Sequence, residues 1–88
     1  MLIELKKFGT TLVSRQTGRE AWAAFQPALH ALSPKEKLEV SFDDILTFSP
    51  SWADEFLTPL QKEFGRRVVL RETSNPSVKA TLDILEIR

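Results

Sequence analysis

Phe48-Ser49-Pro50-Ser51-Trp52-Ala53-Asp54-Glu55-Phe56 is the stretch at which an apolar, strand-like segment gives way to a helix. Ser49 or Ser51 supplies the N-cap, because a serine oxygen accepts from N–H groups that the first helical turn leaves unpaired. On this reading Asp54 and Glu55 fall in the first turn, where carboxylates complement the positive end of the helix dipole. Ala53, Leu57, Leu60 and Phe64 then recur at helical spacing as an inner face, and Gly65 is a stop signal. Pro59 cannot donate to the carbonyl of Glu55, which predicts a bend or a carbonyl left to solvent or a partner. Trp52 falls off the inner face, leaving two readings: the rim of the core, or an anchor for a partner, since tryptophan is enriched at interaction hot spots.

Upstream of this stretch, Leu2 to Leu5 is a short apolar run that Gly9 ends in a turn, and Thr10 to Val13 is rich in β-branched residues. Together they predict a hairpin of two strands. A helix opens near Ser14 or Thr17, the latter spaced from Glu20 as in a capping box. Trp22, Phe25, Leu29 and Leu32 give it an apolar stripe, with Ala21, Ala24 and Ala28 alongside, and Pro27 predicts a kink or an early end. Leu38-Glu39-Val40-Ser41-Phe42 alternates with the period of a half-covered strand, and Asp43-Asp44 turns the chain before Ile45, Leu46 and Phe48 return to the interior. Downstream, Arg67-Val68-Val69-Leu70-Arg71 reads as a strand buried on both faces. Asn75 and Pro76 stand as N-cap and first residue of a last helix whose inner face is Val78, Leu82 and Leu85.

The expected fold is therefore α/β, in the order β-β-α-β-α-β-α, with one mixed sheet of about four strands and helices packed against it. The 88 residues fit a single domain, 1–88, of a size at which one hydrophobic core suffices. Twelve basic residues balance twelve acidic ones, so charge gives no case for nucleic acid or for an anionic membrane surface. Without cysteine there is no disulfide, thiolate zinc site or thiol nucleophile. Glu4 stands where a signal peptide needs positive charge, and no apolar run approaches the about 20 residues of a membrane span. The expectation is a soluble, cytoplasmic protein.

Phosphate loops, nucleophile elbows and zinc signatures are missing from the sequence, which predicts a non-enzyme without cofactor or metal. Asp43-Asp44 beside Asp54-Glu55 offers four carboxylates, but a turn and a helix start account for them. His30, the sole histidine, has no acidic or hydroxyl neighbour in sequence and reads as solvated or packed. Ser14-Arg15 at a helix start either binds an anion or places Arg15 against the acidic residues of the quoted stretch; the second is the structural reading.

Several of these residues, taken together, resemble a known family. Phe8-Gly9, Leu12, Ser14-Arg15, a strand ending in Phe42-Asp43, then Ser49-Pro50-Ser51-Trp52-Ala53-Asp54-Glu55 and Gly65 resemble the STAS-like domains of unknown function. These are small relatives of the sulphate-transporter and anti-sigma-factor-antagonist (STAS) domain. The resemblance implies a non-enzymatic regulatory domain that binds a protein partner, and in the antagonists that partner is a histidine-kinase-like ATPase. It implies a phosphoacceptor serine at the start of the helix after the central strand, here Ser51 with Ser49 as the neighbouring candidate. Pro50 and Trp52-Ala53 flank Ser51 where the antagonists carry Asp and Ser/Thr-Gly. The implied partner surface comprises Trp52, Asp54, Glu55, Ser14 and Arg15. Two further readings stand beside it: a self-assembling, homo-oligomeric module, and a small-ligand or nucleotide site at the same helix N-terminus.

Overall fold

A computed structural model describes residues 1–87. The chain runs β1 (Leu2–Glu4), a 3-10 turn (Leu5–Phe8), β2 (Thr11–Leu12), α1 (Arg15–His30), β3 (Leu38–Ser41), β4 (Thr47–Phe48), α2 (Pro50–Phe64), a second 3-10 turn (Gly65–Arg67), β5 (Val68–Leu70) and α3 (Pro76–Ile84). The fold is α/β with three helices, but the strands form two small sheets instead of one of four strands. β3 lies between β1 and β5 in the larger sheet, and β2 pairs with β4 in the smaller. Every pairing is parallel: Ile3 aligns with Val40, Val40 with Leu70, and Leu12 with Phe48.

The expected β1–β2 hairpin does not form. Residues 5–8, which would have made its turn, coil into the 3-10 turn instead and bury Leu5 completely. Gly9 then leaves at φ 127°, a conformation favouring glycine, and carries the chain out of the first sheet. The carbonyl of Thr10 receives the N–H groups of Leu46 and Thr47 at 2.8 and 3.2 Å, so β2 is drawn to β4.

Aligned residues of parallel strands point to the same side. Ile3, Val40 and Leu70 face the core, whereas Leu2, Glu39 and Val69 face outward. Leu2 and Val69 are 47% and 43% exposed, so the larger sheet is covered on one face only and β5 is not buried on both sides as expected. Both internal prolines are tolerated: α1 continues past Pro27 to His30, and α2 past Pro59 to Phe64.

α2 is the central element of the core. Trp52, Ala53, Phe56, Leu57 and Leu60 are all wholly buried. Trp52 and Phe56 stack with ring centroids 5.2 Å apart, and Phe8, Trp22, Phe25 and Phe48 pack around them at 5.3–6.1 Å. No helix among the described residues is long and apolar enough to cross a membrane.

Candidate functional site

β2 and β4 are parallel neighbours, and each runs directly into a helix through a serine cap. α1 and α2 therefore start side by side. Ser14 Oγ accepts from the N–H of Thr17 at 3.1 Å and caps α1; Ser49 Oγ accepts from the N–H of Trp52 at 3.4 Å and caps α2. Ser49 does more, since its hydroxyl also donates to the carbonyl of Val13 at 2.7 Å and joins the start of α2 to the end of β2.

Ser51, one residue inside α2 and half-buried, has a hydroxyl with no hydrogen-bond partner among the described residues. The surrounding backbone is largely satisfied. Pro50 has no N–H, Trp52 donates to the Ser49 hydroxyl, and Ala53 donates to the Ser49 carbonyl at 3.1 Å. The amide of Ser51 is left as the one first-turn N–H without a partner among the described residues.

Because the helix begins at Pro50, Asp54 and Glu55 lie in its second turn, not its first; the first turn contains no acidic residue. A different partner holds them. Arg15, the first residue of α1, extends one guanidinium nitrogen, Nη1, to Asp54 Oδ2 at 3.0 Å and to Glu55 Oε1 at 3.2 Å. A cation at a helix N-terminus opposes the dipole, and the two carboxylates offset that mismatch. The same contacts hold Asp54 below the usual carboxylate range, first through Arg15 and then through the Thr58 hydroxyl at 2.9 Å, and raise the pKa of Arg15. Ser14, Arg15, Ser51, Asp54 and Glu55 thus occupy one polar surface.

Trp52 does not share that surface. It is 0% exposed, so it is neither a rim residue nor an anchor for a partner. α2 is covered on two sides, by the sheet and by α1, so its buried arc is wider than the single stripe of Ala53, Leu57, Leu60 and Phe64. Gly18 is the residue that sequence reasoning missed. A Cβ there would lie 2.6 Å from the carbonyl oxygen of Trp52 and 3.2 Å from Cβ of Glu55. Its helix-interior position was the available signal, because glycine there is unfavourable unless close packing requires it.

Asp43 and Asp44 lie apart from this surface. Asp44 adopts φ 64° in the turn after β3 and pairs with Lys6 at 3.3 Å. They border a concavity of about 530 Å³ at the carboxyl ends of β3 and β5, which Asn75 crosses. Its Nδ2 donates to the carbonyls of Ile45 and Leu46, and its Oδ1 accepts from the N–H groups of Ser77 and Val78. Among the described residues no three His, Cys, Asp or Glu side chains are grouped to hold a metal. His30 is exposed in the last turn of α1. The chain matches no protein-family model, no curated protein and no solved structure.

Proposed function

We propose that this chain is a non-enzymatic, STAS-like regulatory domain that binds a protein partner through the start of α2 and the adjoining start of α1. Ser51, Asp54, Glu55, Ser14 and Arg15 form the contact surface, with Ser51 as phosphoacceptor and a histidine-kinase-like ATPase as partner. The observation that carries this reading is the inequality of the two serines. The Ser49 hydroxyl is engaged as both donor and acceptor, whereas that of Ser51 is engaged as neither among the described residues. A phosphate on Ser51 would add about −1.5 to −2 charge beside a free helix N–H and one turn from Asp54 and Glu55. Attraction and repulsion would then meet at the partner surface, as a switch requires.

The test is incubation of the chain with a histidine-kinase-like ATPase and ATP, followed by intact mass and by titration of binding. One phosphate on the wild type, none on Ser51→Ala, and binding weakened at least about tenfold by Ser51→Asp are the expected results. An unchanged mass together with unchanged affinity of Ser51→Asp sinks the reading.

A second reading, self-assembly, is favoured by the uncovered outer face of β1-β3-β5, because parallel sheets are ordinarily covered on both sides. Light scattering decides it: a homo-oligomer broken by Val69→Lys supports assembly, and a monomer at all concentrations removes it.

A further inference from the structure

Ser51, Asp54 and Glu55 stand at i, i+3 and i+4 on α2, so their side chains are neighbours, with Cβ atoms about 5–6 Å apart. Side chains on a helix lean toward its N-terminus, which brings the two carboxylates, and whatever they hold, back over the turn that carries Ser51. They hold Arg15 of α1 through a single nitrogen, Nη1, which donates to both. Thr58 fixes the other oxygen of Asp54 at 2.9 Å, so the anchor of the guanidinium is itself anchored.

The other edge of the fork is free. Nε and Nη2 of Arg15 donate to nothing among the described residues, and the side chain is 50% exposed. Arg19, one turn farther along α1, is a second exposed cation with no carboxylate partner among the described residues.

We infer that the free edge of Arg15 is the intramolecular receptor for a phosphate on Ser51. The inference rests on the phosphoacceptor reading above and adds how the new charge is held. ATP supplies the phosphoryl group, ADP leaves, and the Ser51 hydroxyl gives up its proton. Two phosphate oxygens then accept from Nε and Nη2 while Nη1 stays on the carboxylates. An arginine fork meets phosphate oxygens in pairs, a geometry that the point charge of lysine cannot reproduce. Without Arg15, the phosphate and the two carboxylates would stand unshielded within one turn. With it, the modified surface closes on itself, and its donors are withdrawn from any acidic group of the partner.

The test uses a chain synthesised with the phosphate already on Ser51, followed by phosphorus NMR through pH. A serine phosphate loses its second proton near pH 6, and a guanidinium in contact lowers that midpoint. Arg15→Gln should raise the midpoint by about one pH unit, and Arg15→Lys should recover part of the difference. Arg19→Ala should move it far less. The Nε–H resonance of Arg15 in the otherwise unaltered phosphorylated chain should shift through the same midpoint, a measurement that needs no substitution. A midpoint that Arg15→Gln leaves in place overturns the inference. So does one that Arg19→Ala raises as much, or an Arg15 Nε–H resonance that ignores the titration. The phosphate is installed without a kinase, so failure here leaves the mass of the ATPase-treated chain unaffected, and failure there leaves this titration readable.

Discussion

Gly18 of α1 lies against the backbone of Trp52 in α2, so close that a methyl group at Gly18 would stand 2.6 Å from the Trp52 carbonyl oxygen and 3.0 Å from its Cα. The contact is backbone on backbone, and no side-chain rotation can relieve it. Gly18→Ala should therefore destabilise the protein by about 1–3 kcal/mol, the range of overpacked cores, despite the gain of about 1 kcal/mol in helix propensity. Urea unfolding measures the balance. A variant as stable as the wild type would mean that the helices can separate without loss.

Trp52 itself is a core residue whose ring stacks on Phe56. Trp52→Ala should cost about 3–5 kcal/mol, as other large-to-small core changes do, and Trp52→Phe markedly less. A loss under about 1 kcal/mol for the alanine variant would contradict complete burial.

The two serines at the start of α2 should separate in a stability experiment. Ser49→Ala removes both the cap on Trp52 and the bond to Val13, an expected loss of about 1–2 kcal/mol. Ser51→Ala removes no hydrogen bond among the described residues and should stay within about 0.5 kcal/mol of the wild type. Equal losses would overturn the inequality on which the phosphoacceptor assignment rests.

Asp54 links stability to pH. Arg15 and Thr58 hold its pKa below the unfolded value in the folded state. Its contribution is therefore complete above the unfolded value, about 3.9, and is lost as pH falls through the lower folded value. The deficit of Asp54→Asn relative to the wild type should be present at neutral pH and fade in acid. It should also shrink in high salt, because both partners are substantially exposed. A deficit that grows on acidification would reverse the assignment.

Asn75 joins the turn after β3 to the start of α3. Asn75→Ala should cost about 2–3 kcal/mol, the cap and the bond to the Ile45 carbonyl together. Asn75→Asp keeps the cap but turns a donor into an acceptor facing two carbonyls, so thermal melting should place it below the wild type. A variant as stable as the wild type would show that the Nδ2 contacts contribute nothing.

The helices were legible because their signals are local. Asn75 and Pro76 mark a helix start through groups only two or three residues away, Ser14 and Ser49 stood among the candidate caps, and the apolar stripe of α1 includes Leu29. Pairing of Arg15 with the acidic residues of α2 was legible as one of two alternatives, from charge alone. Strand pairing was not, because strands of two to four residues carry too little pattern to name distant parallel partners. Trp52 was misread for a geometric reason. A helix covered on two sides buries a broader arc than one stripe of i, i+4 and i+7 positions, and Phe56 one turn on was the clue that the arc included Trp52.

Since every strand pairs in parallel with a remote partner, Leu2 with Glu39, Thr11 with Thr47 and Leu38 with Val68, no hairpin is available to start assembly. Each ladder must close a long loop before it gains a single inter-strand bond, and the contact of Gly18 in α1 with Trp52 in α2 closes one as long, so the helix pair and the sheets gain their contacts together. Stopped-flow refolding should then show Gly18→Ala and Val40→Ala both slowing folding, and a folding rate that only one of them changes would separate the two steps. The shape of this small domain thus leaves its elements no near neighbour in sequence on which to begin.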